Sequence, residues 1–278
     1  MPAGRRPNAA ATPAALDDGS IADLEQKVGG RIGVVALEAE TGIRLEHRAA
    51  ERFAMCSTFK WALVAAVLAR VDRGELTLAS PLHYGQADLL EYAPVTRTHV
   101  AEGRMSIHDL ARAAVTVSDN TAANLLLAQV GGPAGLTRFF RELGDDVTRL
   151  DRDEPTLNTN EPGDLRDTTS PRAMASSLQR VVGGPVLSSQ SRERLVRWLV
   201  ETETGLDRVR AGLPAGWRAG DKTGTGNRGA CNDVVVAWPP DGGSWFVASY
   251  FSGSQASLAQ LSATHAEIGR LVASRAAS

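Results

Sequence analysis

Cysteine is nearly absent from this chain: Cys56 and Cys231 are the only two in 278 residues. Two cysteines give neither a disulfide framework nor metal-site spacing. They admit one bridge on count alone, but most residue pairs cannot meet the geometry a disulfide demands. The five histidines (His47, His83, His99, His108, His265) lack any H-x-x-x-H or similar ligand spacing. Most are expected at the surface or at helix ends, and no metal site is expected. Charge of one sign is also missing. Thirty basic and 32 acidic residues leave a net charge of -2 with no long single-sign run, so nucleic-acid binding and polybasic membrane attachment lack electrostatic support. No apolar stretch approaches the roughly 20 residues of a membrane span. Arg5-Arg6 is not followed by an apolar core of roughly 7–15 residues, so no secretory signal is visible, and residues 1–20 are expected to form a flexible tail.

What remains is ordinary globular composition, 43% hydrophobic and 22% charged, with enough apolar content for a large core. Ile21, Leu24 and Val28 recur at helical spacing before Gly29-Gly30. Arg31–Glu38 and Ile43–His47 read as a hairpin around Glu40-Thr41-Gly42. From about Ser57 to Asp72 the chain is rich in Ala and Leu and apolar almost all round, which predicts a helix inside the protein. Residues 78–100 are broken by Pro81, Gly85 and Pro94 and read as irregular. Helices are predicted from Ser106 to Thr116 behind a capping box, from Thr121 to Val130, in a short piece to Leu143, from Arg172 to Val182 behind Ser170-Pro171, and from Ser189 to Glu201. Between them, Asp151 to Ser170 has no periodicity, and a loop of that length is usually functional. The pattern then changes: strands at Asp221–Thr225, Asn232–Trp238 and Ser244–Ser252, and an amphipathic closing helix, Leu258–Val272. Strands at both ends and helices between predict an α+β fold. An antiparallel sheet of about five strands, built from both termini and flanked by terminal helices, would carry an inserted all-helical domain. The expected division is 21–50 plus 205–278 as the α/β domain and 51–204 as the all-α domain, with the active site where the two meet.

Four short motifs carry the chemistry. Ser57 and Lys60 lie one turn apart at the start of the buried helix, where unpaired N–H groups and the helix dipole make a positive end. A hydroxyl there, with an amine beside it, is a candidate activated nucleophile. Taken alone, S-x-x-K is more simply an N-cap and a solvated lysine. Ser118-Asp119-Asn120 interrupts two helices and taken alone is a helix cap. Glu154-Pro155-Thr156-Leu157-Asn158 sits in the long loop, where any single carboxylate is by default solvated. Lys222-Thr223-Gly224 opens a strand, with Gly224 allowing a ligand close to the backbone.

In this order the four motifs resemble those of the class A serine β-lactamases, and the resemblance runs from about Ile21 to Val272. It implies hydrolysis of the β-lactam amide of penicillins and cephalosporins through an acyl-enzyme on Ser57, and antibiotic resistance, with no metal and no cofactor. Lys60 or Glu154, through a water, would be the acylation base. Ser118 would relay a proton to the leaving nitrogen, and Glu154 with Asn158 would hold the deacylating water. Asn120, Lys222, Thr223, Gly224 and Thr225 would bind substrate, and the backbone N–H groups of Ser57 and Thr225 would form the oxyanion hole. Arg152 and Asp167 would pair across the loop, and Tyr92 is placed at the cleft entrance, against the alternative of ordinary packing. The partner expected is a small-molecule β-lactam, the protein a monomer, and the location periplasmic or secreted.

Two positions depart from the family pattern. Where many relatives carry arginine on the strand after K-T-G, this chain has Cys231; Arg208 matches an alternative arginine of other members. Cys56 precedes Ser57 as in relatives that hydrolyse carbapenems, but those pair it with a cysteine where Gly226 stands here. Two rival readings share part of the motif set. A D-alanyl-D-alanine peptidase would lack the Glu154-x-x-x-Asn158 loop, and a β-lactam sensor would acylate and stay acylated.

Overall fold

The structure is a computed structural model that describes residues 19–277; the tail expected at 1–20 lies almost wholly outside the described residues. In chain order the first half comprises α1 (Ser20–Val28), β1 (Arg31–Glu38), β2 (Gly42–His47), β3 (Phe53–Ala54), α2 (Phe59–Asp72), β4 (Pro81–His83), β5 (Arg104–Ser106), α3 (Ile107–Thr116), α4 (Asn120–Gln129) and α5 (Gly132–Glu142). The second half comprises β6 (Thr168–Thr169), α6 (Pro171–Gly183), α7 (Ser189–Val200), α8 (Val209–Gly212), β7 (Arg218–Thr225), β8 (Cys231–Trp238), β9 (Trp245–Ser252) and α9 (Leu258–Ala276).

Five strands form one antiparallel sheet in the order β2-β1-β9-β8-β7, so the two ends of the chain meet at β1 and β9. Side chains alternate between faces along each strand. Val35, Val234, Val236, Phe246, Ala248 and Tyr250 pack with the helices of the chain's middle. Val34, Ala36, Val235, Val247 and Phe251 pack with Ile21 of α1, Val209 of α8 and Leu261, Ile268 and Val272 of α9. The sheet is thus covered on both faces, an α+β arrangement with two apolar layers.

Helix α2 runs through the helical layer with every residue from Phe59 to Ala69 buried. That matches its all-round apolar composition. It does not begin at Ser57 as predicted. Cys56–Thr58 form a tight 3₁₀ turn that leads into it, and Cys56 adopts a left-handed backbone, φ 45°. Side-chain caps start the neighbouring helices: Ser106 accepts from Asp109 N, Asp119 from Ala122 N, and Ser170 from Ala173 N, followed by Pro171.

Other details differ from the sequence reading. The stretch read as irregular holds β4, which pairs with β5, and α8 was not foreseen. Strand β7 starts three residues earlier than predicted, at Arg218. His265 is fully buried in α9, stacked on Phe251 with ring centroids 4.0 Å apart, rather than at a helix end. Cys56 and Cys231 are both buried free thiols.

Candidate active site

The cleft opens between the edge strand β7 and the helical layer. It measures about 310 Å³ and is lined by Ser57, Tyr92, Ser118, Asn120, Asn158, Thr204, Arg208, Thr223, Gly224 and Thr225. Two glycines let the strand approach the nucleophile turn. A Cβ on Gly224 would lie 2.7 Å from Met55 O and 3.1 Å from Ser57 N. One on Gly226 would lie 2.6 Å from Cys56 Sγ and 2.8 Å from Asn158 O. Only glycine permits these contacts.

The Ser57 hydroxyl donates to Glu154 Oε1 at 3.0 Å, and Lys60 Nζ reaches the same oxygen at 2.9 Å. Glu154 Oε2 accepts from Asn158 Nδ2 at 2.6 Å. Glu154 is only 2% exposed and faces inward. Burial pushes its carboxyl upward, but Lys60, Asn158 and Ser57 together outweigh that and leave it below the usual carboxylate range. Burial depresses the Lys60 ammonium, and Glu154 partly restores it. Lys60 Nζ also donates to Ser118 O at 2.8 Å, to Ser118 Oγ at 3.3 Å and to Asn120 Oδ1 at 2.5 Å.

Ser118 sits in the break before α4 with φ 61°, a left-handed conformation that an L residue holds only when its surroundings fix it. Its Oγ lies between two ammonium groups, Lys60 at 3.3 Å and Lys222 at 3.1 Å. Lys222 is fully buried and also donates to Thr223 O at 2.9 Å. Burial, reinforced by the charge of Lys60, brings its pKa down to about 7. Asp119 does not line the cleft. Its carboxylate accepts from Val95 N, Thr96 N and Ala122 N and so fixes the turn that presents Ser118.

Arg208, 5% exposed, donates to Asn232 O at 2.6 Å, to Gly224 O at 3.2 Å and to Thr225 Oγ1 at 2.8 Å. It is therefore fastened along β7 and not solvated. Tyr92 lies at the mouth, 51% exposed, its carbonyl accepting from Asn120 N. Arg152 Nε meets Asp167 Oδ2 at 2.5 Å, and Asp167 Oδ1 accepts from Asp151 N and Arg152 N, closing the root of the 151–170 loop.

Of the predicted site residues, Ser57, Tyr92, Ser118, Asn120, Asn158, Arg208, Thr223, Gly224 and Thr225 line the cleft, Lys60, Glu154 and Lys222 bond to its lining from behind, and Arg152 and Asp167 pair at the root of the adjoining loop. Two were missed. Thr204 Oγ1 is 2.7 Å from Thr223 Oγ1 in the cleft wall, and Asn124 bonds both the N–H and the carbonyl of Glu154. Neither belongs to a motif, but Asn124 falls one turn after Asn120 on the same helix face, and that spacing was a usable signal. Among the described residues no group of three His, Cys, Asp or Glu side chains is placed to hold a metal ion.

Residues 18–276 match the profile of the β-lactamase enzyme family. The chain belongs to that family. It is similar to β-lactamase L2 of Stenotrophomonas maltophilia, 47% identical over 271 residues that cover 97% of this chain and 89% of the relative. Among solved structures it resembles an ancestral class A β-lactamase, with TM-score 0.90, 54% identity and coverage of 91% of this chain and 97% of that one. A class A β-lactamase of the last common ancestor of Gram-negative bacteria gives the same figures, TM-score 0.90 and 54% identity over 91% and 97% of the two chains. Against that background the fold, the serine hydrolase class and the placement in class A agree with the motif reading.

Proposed function

We propose that this protein opens β-lactam amides through an acyl-enzyme on Ser57, with Glu154 serving both halves of the cycle. The observation that carries this reading is the sharing of Glu154 Oε1 by the Ser57 hydroxyl and the Lys60 ammonium. The serine proton passes to that oxygen as Ser57 Oγ attacks the lactam carbonyl, and Lys60 stabilises the charge left behind. The N–H groups of Ser57 and Thr225 receive the oxyanion. When the C–N bond breaks, the ring nitrogen takes the Ser118 proton, Lys60 replaces it across 3.3 Å, and Glu154 hands the serine proton on to Lys60 across 2.9 Å, which leaves Glu154 a carboxylate again. Water held by Glu154 and Asn158 then loses a proton to Glu154 and attacks the ester; as the ester C–O bond breaks, that proton returns to Ser57 Oγ and the opened acid is released.

Lys222, Thr223, Thr225 and Arg208 make a cationic and hydroxyl-rich wall suited to the substrate carboxylate. Asn120 and Tyr92 face the rest of the substrate. Penicillins and cephalosporins are the expected substrates, and the protein is expected to act outside the cytoplasm as a monomer. Among the described residues no helix is long and apolar enough to cross a membrane. Residues 51–204 act as a helical insertion between 21–50 and 205–278, with the cleft at the seam.

Steady-state hydrolysis across a β-lactam panel, with Ser57→Ala and Glu154→Gln alongside, tests it. Turnover should vanish in the first variant. The second should accumulate a covalent adduct visible by intact-mass spectrometry. Turnover by Ser57→Ala would overturn the nucleophile; no adduct in Glu154→Gln would overturn its part in deacylation.

A further inference from the structure

A second cavity, of about 510 Å³, lies beneath the 151–170 loop and shares no lining residue with the cleft. The loop is its roof, from Arg152 through Leu157 and Asn160 to Thr168; its floor is the start of β1, β3, the turn after β7 and the end of β9. The loop is fastened at its root by Arg152 and Asp167. It is fastened at its tip by Asn160, whose Nδ2 donates to Asn227 O and Arg228 O at 3.2 Å each and to Ser252 Oγ at 3.1 Å. Between those points it arches over the cavity. Glu154 and Asn158 stand on the arch.

Five guanidinium groups line the space, against two carboxylates. Four of the five have an acidic partner: Arg31 with Glu51 at 2.6 Å, Arg152 with Asp167 at 2.5 Å, Arg166 with Asp164 at 2.8 Å, and Arg228 with Glu161. The fifth, Arg52, is half-buried and gives its Nη1 to two neutral oxygens, Val147 O at 2.8 Å and Thr168 Oγ1 at 3.0 Å. Among the described residues no carboxylate pairs with it. The lining therefore holds one uncompensated cation, in a confined space, with Leu157, Pro162 and Leu165 beside it. A guanidinium so placed favours a carboxylate or phosphate that accepts two hydrogen bonds, and the apolar side chains favour a short organic body.

We propose that this cavity is a regulatory site for a small organic anion, its carboxylate or phosphate held at Arg52 and its apolar body against Leu157, Pro162 and Leu165. A bound anion also draws Arg228 from Glu161 and Arg166 from Asp164. That loosens the tip fastening and slows the step that uses Glu154 and Asn158. The kinetic half of this statement rests on the acyl-enzyme reading above; the binding half does not.

Benzoate and phenyl phosphate serve as the carboxylate and phosphate probes, titrated at constant ionic strength into the whole protein and into Arg52→Gln. Calorimetry should give saturable one-to-one binding for at least one probe, weakened about tenfold in Arg52→Gln, the loss of one charge-assisted hydrogen bond. In the wild type, amide NMR shifts should gather at Asn160 and Gly163. Deacylation in burst kinetics should slow as that probe saturates the wild type and stay constant in Arg52→Gln. Binding by neither probe, equal affinity in both proteins, or shifts confined to the Ser57 cleft would overturn the site. Saturable binding with an unchanged deacylation rate would overturn the regulatory half. Should Arg52→Gln fail to melt cooperatively, Arg52→Lys takes its place, keeping the charge and losing the fork, with the same ordering of affinities expected.

Discussion

Asn124 grips Glu154 by its main chain on both sides: its Oδ1 accepts the Glu154 N–H at 3.0 Å and its Nδ2 donates to the Glu154 carbonyl at 2.8 Å. A residue of α4 thereby sets the depth at which a loop carboxylate enters the cleft. Replacing Asn124 by Ala frees two part-buried backbone groups and should destabilise the fold by about 2 kcal/mol, about 1 for each bond. The kinetic effect should fall on deacylation, with acyl-enzyme accumulating at steady state in quench-flow mass spectrometry. Unchanged occupancy of the acyl-enzyme would remove Asn124 from that role.

Asp167 holds the other end of the loop through Arg152 and two backbone N–H groups. Asp167→Ala should cost about 2 kcal/mol of stability, since it breaks charge-assisted bonds to a largely covered arginine. It should slow deacylation more than acylation. Equal slowing of both steps would count against the loop as the affected part.

Lys222 titrates near pH 7 in the folded protein, chiefly because of burial and secondarily because Lys60 is close. As pH rises through 7 the amine loses its proton and its hold on a substrate carboxylate. The alkaline limb of kcat/KM should therefore set in near pH 7, since that ratio reports the free enzyme. Stability moves the other way. Between about 7 and the ordinary lysine value of 10.5 the unfolded chain binds the proton and the native chain does not, so the Lys222 contribution to folding becomes more favourable as pH rises. A Lys222→Gln protein should lack both the kinetic limb and this part of the pH-dependent melting. Retention of either would assign it elsewhere.

Thr204 touches Thr223 at 2.7 Å and orients its hydroxyl. Thr204→Val keeps the shape and removes the partner. KM should rise severalfold with kcat little changed, the signature of an interaction made equally in ground and transition states. A fall in kcat at constant KM would place Thr204 in the chemistry instead.

Much of this arrangement was legible because the signal was local. The burial of α2 follows from a composition apolar on all sides, and the nearness of Ser57 and Lys60, which meet at Glu154 Oε1, from a separation of three residues. The caps at Ser106, Asp119 and Ser170 announce themselves by residue type. What escaped depends on partners distant in sequence. Strand β4 exists because β5 pairs with it some twenty residues later. His265 looked like a surface residue because nothing near it in the chain shows that Phe251 will stack on it. Asn124 and Thr204 act on neighbours 30 and 19 positions away; the one-turn spacing from Asn120 marks the helix face that Asn124 shares, but nothing local names Glu154 or Thr223 as the partner.

Lys60, Lys222 and Arg208 are all nearly sealed from water around one small cleft. Burial lowers the pKa of both lysines, so the fold bears the cost of holding these ammonium groups away from water. A carboxylate that reaches them lowers that cost. Substrate recognition and conformational stability are then two readings of one desolvation penalty, and ligands with a carboxylate should raise the melting temperature in proportion to how well they reach Lys222.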